Sequence, residues 1–283
     1  MTSFPSSPHI DRLIDLALEE DLGPGDVTTQ ALIPPDLQGE AHIRAKETLI
    51  VAGLPVAERV FRRLDALIDF EAEVEEGQEV APGAVLARIT GPVAAILTGE
   101  RTALNFLMRL SGIATFTRKM AAAVAGYPVF ITDTRKTTPG WRVLGKYAVR
   151  LGGGRNHRLG LYDGVLIKNN HLAATESITA AINQARQAAP HTLKIEVEVT
   201  DLEGLKEALA AGADIIMLDN MDEAAMAEAV KIVQGRAILE ASGGMTLERL
   251  PKVAATGVNF ISMGALTHSA LAVDIHLRLV RVW

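Results

Sequence analysis

Apolar residues recur at helical spacing near the start of the chain. Five of them follow the i, i+3, i+4, i+7, i+8 spacing of one helical face, namely Ile10, Leu13, Ile14, Ala17 and Leu18. Pro8 precedes them, at a place where the first turn of a helix tolerates proline. The pattern predicts a short amphipathic helix. We expect it to end at the segment EDLGPGDVTTQ, because glycine and proline in close succession favour a loop.

Between Gly39 and Gly91 the pattern changes to short strand-like runs. These are AHIRA, TLIVAG, FEAEVE and VLARIT, with one helical stretch near 56–67, and together they predict an α+β unit. The segment EGQEVAPGAVLARITG looks like the hairpin half of a biotinyl or lipoyl carrier. A carrier needs a lysine at the hairpin tip, and no lysine lies between Lys46 and Lys119. A carrier function is therefore excluded.

A different rhythm begins after a long helical stretch. Residues 93–125 are predicted to be helical, with an interruption near Ser111 and Gly112. Beyond them, apolar strand-like runs alternate with helical patterns. The strand-like runs are 128–132, 164–168, 193–199, 214–218, 236–240 and 258–262, and the helical patterns are 173–188, 201–211, 222–234 and 246–255. This alternation predicts parallel strands joined by helical crossovers.

The strands of this second half are apolar on both faces, which favours a closed or nearly closed βα barrel over an open doubly wound sheet. The chain is thus predicted to be an α/β protein of two domains. We expect an N-terminal domain over 1–110 and a βα barrel over 111–269. The terminal run AVDIHLRLV alternates like a strand half exposed to water, so 270–283 is expected to pack back on the N-terminal domain.

Composition narrows the classes of function. The chain has 283 residues, a net charge of −6 and only 4% aromatic residues, which argues against nucleic acid and anionic membranes as partners. It has no cysteine, so disulfides, thiolate nucleophiles and thiolate-held metals are excluded. The N-terminus lacks a basic region followed by an apolar core, and no apolar run approaches the ~18 residues of a membrane span. We expect a soluble, cytoplasmic protein.

The reactive groups of a βα barrel collect just past the carboxyl ends of its strands, where the loops face one shared mouth. Here each predicted strand ends near a polar, charged or glycine residue. These residues are Asp133, Thr134, Arg135, Lys136, Lys168, Glu196, Glu198, Asp219, Asn220, Ser242, Gly243, Gly244 and Gly264. The arrangement predicts one site at that mouth.

Basic residues are concentrated beside this mouth. The 36 residues from Asp133 to Lys168 hold eight of the 28 lysines and arginines but two acids, a local balance of +6 against −12 elsewhere. Such a concentration predicts a small anion with several charges as the ligand. For Arg142, Lys146 and Arg150, which are spaced four apart, an exposed and solvated stripe is an equally good interpretation.

Two glycine-containing segments indicate which charged groups the ligand has, namely a carboxylate and a phosphate. His157 and Arg158 follow a run of three glycines, and the planar guanidinium of an arginine matches a carboxylate. For His157 a structural and a functional role stay equally open. The turn at 242–244 precedes the helical run MTLERLPKV, so its backbone amides are expected at a helix N-terminus. Together with Gly264 on the next strand end, this turn predicts a phosphate site.

Acidic residues are also expected at the mouth. Glu196 and Glu198 are two positions apart and therefore face the same side of their strand. Buried carboxylates are unfavourable unless cations, a metal or hydroxyl groups match them. With Asp219 at the end of the next strand, we expect one or two of these carboxylates to hold Mg²⁺ or sugar hydroxyls.

Motifs along nearly the whole chain resemble the quinolinate phosphoribosyltransferases, also called carboxylating nicotinate-nucleotide pyrophosphorylases. The motifs are EDLGPGDVTT, GERTALNFLMRLSGIAT, TDTRKTTPG, KYAVRLGGGRNHRLGLYDGVLIKNNH, VEVT, GADIIMLDN, EASGG and ISMGALTHS. The resemblance implies that quinolinate and 5-phosphoribosyl-1-pyrophosphate give nicotinate mononucleotide, pyrophosphate and CO₂ in NAD biosynthesis, with Mg²⁺ and no organic cofactor. It also implies an N-terminal open α/β sandwich, an incomplete βα barrel, and a homodimer or a hexamer built from dimers.

Carried over motif by motif, the resemblance assigns roles to individual residues. It places the quinolinate pocket at Thr134, Arg135, Lys136, His157, Arg158 and Lys168, completed by Arg101 of the partner subunit. It places 5-phosphoribosyl-1-pyrophosphate at Lys168, Glu198, Asp219, Ser242, Gly243, Gly244 and Gly264, with Mg²⁺ at Glu198 and Asp219. The implied catalytic residues are Lys136, Lys168, Glu198 and Asp219.

Three positions depart from the family pattern, and three other functions compete with it. Trp141 replaces a commoner aliphatic residue, Leu151 a smaller or polar one, and Asn169 an acid, which leaves the fine shape of the pocket open.

A molybdenum-transport-associated homologue shares the fold but not the full motif set. A Schiff-base lyase would use Lys168. A non-catalytic phosphate-binding module would have no evident use for the carboxylates.

Overall fold

The structure is a computed structural model that describes residues 3–283 and separates into two compact units. The first contains the chain up to Arg118, together with Thr138–Gly153 and Ser269–Trp283. The second contains Lys119–Thr137 and Gly154–His268. These are named the N-terminal unit and the barrel unit below.

The N-terminal unit combines helices with an antiparallel sheet. Its helices are α1 (Pro8–Leu22), α2 (Val27–Leu32), α3 (Leu54–Leu64), most of α4 (Val93–Ala122) and α5 (Arg142–Leu151). Its strands are β1 (Gln38–Ala45), β2 (Leu49–Ile50), β3 (Asp69–Ala72), β4 (Glu79–Val80), β5 (Val85–Pro92) and β12 (Ile275–Val282). Strands β12, β1, β5 and β3 lie side by side in that order, and β2 pairs with β4.

Local sequence explains the first elements. Ser7 accepts a hydrogen bond from the backbone N–H of His9 and so caps α1, with Pro8 in its first turn. The helix buries Ile10 and Ile14 on one face, which confirms the predicted amphipathic helix. Strand β1 buries every second residue because side chains of a pleated strand alternate between its two faces.

The long helix α4 runs without a break through Ser111 and Gly112, so the expected interruption is wrong. The Ser111 hydroxyl is buried and exchanges hydrogen bonds with the backbone of Ala52. A side chain at Gly112 would collide with the carbonyl of Leu271. These two residues therefore permit close packing and do not end the helix. None of the helices within residues 3–283 is both long and apolar enough to cross a membrane.

The barrel unit alternates strands and helices as predicted. Its strands are β6 (Phe130–Thr132), β7 (Val165–Ile167), β8 (Ile195–Val199), β9 (Ile215–Asp219), β10 (Ile238–Ser242) and β11 (Phe260–Ser262). Its helices are α6 (Asn169–Leu172), α7 (Ile178–Ala188), α8 (Leu202–Ala210), α9 (Glu223–Val233), α10 (Leu250–Ala254) and α11 (Ala265–His268). The strands form one parallel sheet in the order β6, β11, β10, β9, β8, β7.

The sheet curls but does not close. One cavity is lined by residues of β7 to β11 and by the segment after β6, so the six strands surround a common interior. Strands β6 and β7 do not pair with each other. At the free edge of β6, Thr132 instead forms a parallel bridge with Arg155. This is the incomplete parallel βα barrel that was expected, and the segment 155–158 occupies the side of the gap next to β6.

Two helices begin later than the apolar pattern predicts. The pattern at 173–188 contains only α7, because the Ser177 side chain accepts the N–H of Ala180 and starts the helix there. The short helix α6 ends before this pattern begins, at Leu172. The pattern at 246–255 contains only α10, because a turn around Thr246 comes first. The 242–244 turn therefore does not lie directly at a helix N-terminus.

Candidate active site

The predicted residues of the barrel unit meet at the carboxyl ends of its strands. A cavity of about 390 Å³ opens there. Nine predicted site residues line it, namely Thr134, Arg135, Lys136, His157, Arg158, Lys168, Glu198, Asp219 and Ser242. They come from segments far apart in the chain, and the parallel sheet brings them together because all its strands end at one edge.

Two arginines form the cationic side of the cavity. Burial, and after it the positive charge of Arg135, lowers the pKa of the Arg158 guanidinium. Nη1 of Arg158 donates to the carbonyl of Gly164 at 2.9 Å, which fixes the direction of the side chain. Because like charges repel in this half-buried place, the pair is suited to an anion that carries more than one negative charge.

Lys168 lies at the end of β7 and faces an acidic neighbour. Its Nζ is 3.4 Å from Oε2 of Glu198, and the lysine side chain is 49% exposed. Asn169 donates from Nδ2 to Oε1 of the same carboxylate at 3.0 Å. An acid at position 169 would place a second negative charge against Glu198, so the amide changes the local charge without losing the contact. A half-exposed, ion-paired lysine also lacks the dry apolar surroundings that a Schiff-base lysine uses.

Two carboxylates could hold a divalent cation. Glu198 on β8 and Asp219 at the end of β9 lie on paired strands and line the same cavity. Mg²⁺ prefers such oxygen donors and commonly keeps one or two protein carboxylates together with phosphate oxygens of its substrate. The donor chemistry therefore fits Mg²⁺ delivered with a phosphorylated ligand.

The turn at 242–244 follows β10, and its backbone has a conformation that favours glycine. Gly243 and Gly244 have φ angles of +92° and +58°. Arg249 ties this turn to the segment after β9, since its Nη1 donates to the Gly243 carbonyl at 3.0 Å and its Nη2 donates to the Met221 carbonyl at 2.8 Å. Its Nε donates to Glu223 at 2.8 Å. Arg249 was not among the predicted site residues, because within the predicted helical run 246–255 it resembles any solvated arginine.

Gly264 follows β11 and packs against the cavity wall. A Cβ at this position would lie 2.8 Å from Cδ of Lys136, so glycine lets the lysine pass close to the backbone. Thr267 supports the same segment by donating from Oγ1 to the Lys136 carbonyl at 2.8 Å. Thr134 accepts the N–H of Lys136 at 3.0 Å. These contacts set the course of the chain from Thr134 to Lys136 along the mouth.

A buried acid anchors the segment that fills the gap of the barrel. Asp133 is fully buried, and its carboxylate accepts the backbone N–H of His157 at 2.9 Å and Nδ2 of Asn156 at 2.7 Å. From the sequence, Asp133 was expected at a strand end, with no role assigned to it. Its contacts lie 23 and 24 residues away along the chain, and no local pattern could have shown them.

A further pair of buried carboxylates lies in the barrel interior, and one of them, Glu240, also lines the cavity. Glu196 on β8 and Glu240 on β10 are each 4% exposed. Burial and, after it, the negative charge of Glu196 raise the pKa of Glu240 to about 7. The strand alternation that points Ser242 inward could have identified Glu240, which is two residues earlier on the same strand.

Several predicted residues belong to the N-terminal unit and are described within it. Arg101 lies on α4 with its side chain 60% exposed, 3.9 Å from Glu100. Trp141 stacks on Phe106 with ring centroids 4.7 Å apart. Lys146 is 2% exposed, so the interpretation of a solvated stripe at Arg142, Lys146 and Arg150 is wrong for its central residue. Leu151 is also buried.

The fold and the cavity together define a class of protein. Cationic and acidic side chains and a glycine turn converge at the carboxyl edge of a parallel βα barrel, which is where barrel enzymes bind phosphorylated substrates. Within that class, the chain belongs to the quinolinate phosphoribosyl transferase family. The model of the N-terminal domain of that family matches residues 26–111, and the model of its C-terminal domain matches residues 113–278.

Individual relatives agree over nearly the full chain. A probable nicotinate-nucleotide pyrophosphorylase (carboxylating) of Synechocystis is 48% identical over 99% of this chain and 96% of its own length. A protein of the same name from Bacillus subtilis is 47% identical over 95% of this chain and 93% of its own. The crystal structure of NadC from Streptococcus pyogenes superposes with a TM-score of 0.94 at 40% identity, covering 99% of this chain and 100% of the other.

Proposed function

We propose that this protein joins quinolinate to 5-phosphoribosyl-1-pyrophosphate and releases nicotinate mononucleotide, pyrophosphate and CO₂, a step of NAD biosynthesis. The observation that carries the proposal is the convergence of two arginines, two lysines and three acids in one cavity of about 390 Å³. Relatives that are 47–48% identical are named for this activity. A molybdenum-transport homologue or a Schiff-base lyase is not supported by any of these names.

The cationic side of the cavity fits a pyridine dicarboxylate. Arg135 and Arg158 lie close enough to influence each other electrostatically, and one carboxylate on each would relieve that repulsion. Lys136 and Lys168 line the same cavity and add two further positive charges. A charge-assisted hydrogen bond of this kind contributes about 1.5–3 kcal/mol, so two such contacts would account for much of the affinity. Thr134 lines the same cavity and would contact the same substrate.

The acidic and glycine-containing side fits the phosphorylated sugar. Glu198 and Asp219 would contact the ribose hydroxyls and Mg²⁺, which would stabilise charge on the departing pyrophosphate. Ser242 and the two glycines after it would hold the 5′-phosphate through backbone amides, with Gly264 nearby. Lys168 would lie between the two substrates, where its Nζ also faces Glu198.

These positions account for both bond changes. The ring nitrogen of quinolinate attacks the ribose carbon that carries pyrophosphate, and positive charge grows on the sugar as that bond breaks. The carboxylates of Glu198 and Asp219 would stabilise this charge. The carboxylate next to the ring nitrogen then leaves as CO₂, its bonding electron pair stays on the ring carbon, and a proton replaces it. Lys136 and Lys168 would stabilise the negative charge that develops there.

The assay that tests the proposal uses the purified chain with quinolinate, 5-phosphoribosyl-1-pyrophosphate and Mg²⁺. We expect nicotinate mononucleotide, pyrophosphate and CO₂ in equal amounts, and no product without Mg²⁺. Replacing Arg158 by alanine should raise the KM for quinolinate by about 10- to 100-fold with little effect on the KM for the sugar substrate. Arg236→Ala is the control, because that guanidinium bonds the carbonyls of Ile232 and Val233 outside the cavity. A folded wild-type chain that forms no product would refute the proposal.

We further infer that the functional form is cytoplasmic and is a homodimer or a hexamer built from dimers, with Arg101 of the partner subunit completing each quinolinate pocket. The exposed side chain of Arg101 supports this. If it is so, Arg101→Ala and Lys168→Ala subunits should each be inactive, while an equal mixture should regain about a quarter of the wild-type activity, because half of the dimers carry one intact site. A mixture that stays inactive after subunit exchange would contradict the shared site.

A further inference from the structure

The barrel interior contains a polar layer that borders the cavity of the proposed active site. Interior layers of βα barrels are dominated by Val, Ile and Leu. Here Glu196, Glu240 and His157 fill such a layer, and one ligand atom from each lies within 4.8 Å of the others. Oε1 of both glutamates is buried and accepts no hydrogen bond within residues 3–283. Burying such groups is unfavourable, so the layer calls for an explanation other than packing.

The hydrogen bonds of His157 define where its proton lies. Nδ1 accepts the backbone N–H of Arg158 at 2.7 Å, so this nitrogen carries no proton. The proton is therefore on Nε2, which points to Oε2 of Glu196 at 3.0 Å. Oε1 of Glu240 is 3.7 Å from the same nitrogen, beyond hydrogen-bond distance. Glu196 is thus the acceptor, and the ring is held as the neutral Nε2–H tautomer.

The same hydrogen bonds exclude His157 as a metal ligand. A histidine can ligate a cation only through an unprotonated nitrogen. Because Nδ1 of His157 is occupied by a backbone N–H, Nε2 must keep its proton and has no lone pair to offer. His157 and Glu196 form a hydrogen-bonded unit, and Glu240 lies next to it.

This unit supports an arginine that the proposed function needs. The backbone N–H of Arg158 is bound by the His157 ring, and the N–H of His157 is bound by Asp133. The Arg158 guanidinium is then directed by the carbonyl of Gly164. Without Glu196 the ring could turn or move its proton to Nδ1, which would set two N–H groups against each other at Arg158.

We propose that Glu196 is a positioning residue: by accepting the Nε2 proton of His157, it holds the backbone of Arg158 in the place from which the guanidinium reaches the pyridine dicarboxylate. The effect of Glu196 is exerted through His157, and it does not require contact with substrate. The proposal rests on the proposed function for the identity of the substrate, while the tautomer of His157 can be measured without turnover.

Kinetic variants test the positioning role. Glu196→Ala removes the acceptor and should raise the KM for quinolinate about tenfold or more, because small misplacements of binding groups have effects of that size. The KM for 5-phosphoribosyl-1-pyrophosphate should stay within about twofold. Glu196→Gln retains a carbonyl oxygen that can accept the proton and should restore most of the quinolinate affinity. Equal changes in both KM values, or no change in either, would overturn the proposal.

A matched control separates positioning from the loss of any buried acid. Glu76 in the N-terminal unit is also a buried carboxylate, and it accepts the backbone N–H groups of Gly53 and Leu54. Glu76→Ala should lower the melting temperature but leave the KM for quinolinate unchanged. If Glu76→Ala raises that KM as much as Glu196→Ala does, the kinetic effect reports general destabilisation and the positioning role is refuted.

Nitrogen NMR of the wild-type chain gives a readout that is independent of activity. With ¹⁵N-histidine labelling, the His157 signals, assigned by their loss in His157→Gln, should show a protonated Nε2 and an unprotonated Nδ1. Glu196→Ala should change this pattern, and Glu196→Gln should preserve it. A His157 ring with its proton on Nδ1, or on both nitrogens, would overturn the inference even if Glu196→Ala failed to fold. Absence of product with the expected tautomer would instead count against the proposed function alone.

Discussion

A methyl group added at Gly243 should weaken binding of the phosphorylated sugar. Gly243 has a φ of +92°, and a Cβ built on it would lie far inside 3.0 Å of the Asn220 side chain. Ordinary contacts begin at 3.4 Å, so the turn or Asn220 would have to move by about 1 Å. Left-handed backbone adds a strain of about 1–2 kcal/mol for alanine. Displacing a binding group by about 1 Å can change rates about 100-fold, so we expect Gly243→Ala to raise the KM for 5-phosphoribosyl-1-pyrophosphate by about 10- to 100-fold.

Gly212 provides the matched control for this substitution. It also lies in the barrel unit and has a positive φ of +77°, but a Cβ there would meet nothing within 4 Å. Gly212→Ala therefore has comparable backbone strain and no collision. Thermal unfolding should show similar losses of stability from strain in the two variants, whereas only Gly243→Ala should change the KM, measured from nicotinate mononucleotide formed at saturating quinolinate and Mg²⁺. An unchanged KM in folded Gly243→Ala protein would refute the placement of the phosphate at this turn.

Three further predictions concern the same unit. Arg249→Ala should raise the KM for the sugar substrate more than that for quinolinate, because it frees the Gly243 carbonyl; equal changes in steady-state assays would argue against it. Asn169→Asp should weaken binding of both anions, since it sets a negative charge beside Glu198, and titration calorimetry would detect this; unchanged affinity would contradict it. Burial raises the pKa of Glu240 from 4.5 to about 7, so its stabilising contribution is complete below 4.5 and is lost as pH rises through 7. Between pH 5 and pH 8, urea unfolding should show that the free energy of unfolding of the wild type falls by up to about 3 kcal/mol more than that of Glu240→Gln. The same pH dependence in both proteins would refute the raised pKa.

Much of the architecture followed from periodicity. The six strands of the barrel unit overlap the six predicted apolar runs, and β10 extends two residues further, to Ser242. Whether alternate or consecutive residues are buried depends on the local geometry of the strand, so the sequence shows it as a pattern of apolar residues at neighbouring positions. Boundaries were less predictable. The start of α7 depends on the Ser177 cap, and the continuity of α4 through Gly112 depends on close packing against Leu271.

The candidate site shows the same division. Nine of its predicted residues line one cavity, because strand ends of a parallel sheet share an edge whatever the details of the loops. Lys146 was misjudged, since spacing of four describes a helical face but does not say whether solvent or protein covers it. Arg249 was missed because the contacts that tie it to the turn are to backbone carbonyls, which every residue type supplies.

The amino-acid sequence alone determined the kinds of elements, their order, and the strand ends at which charge and glycine collect. These are properties of neighbouring residues, set by the periods of helices and strands. Only the tertiary structure decided that Glu196 meets His157 across 39 positions of the chain, that Asp133 binds the segment filling the barrel gap, and that Glu196 and Glu240 are buried together in the barrel interior. Such contacts depend on how far the sheet curls and where it stays open. They join residues that are far apart in the sequence, so no short stretch of sequence can reveal them.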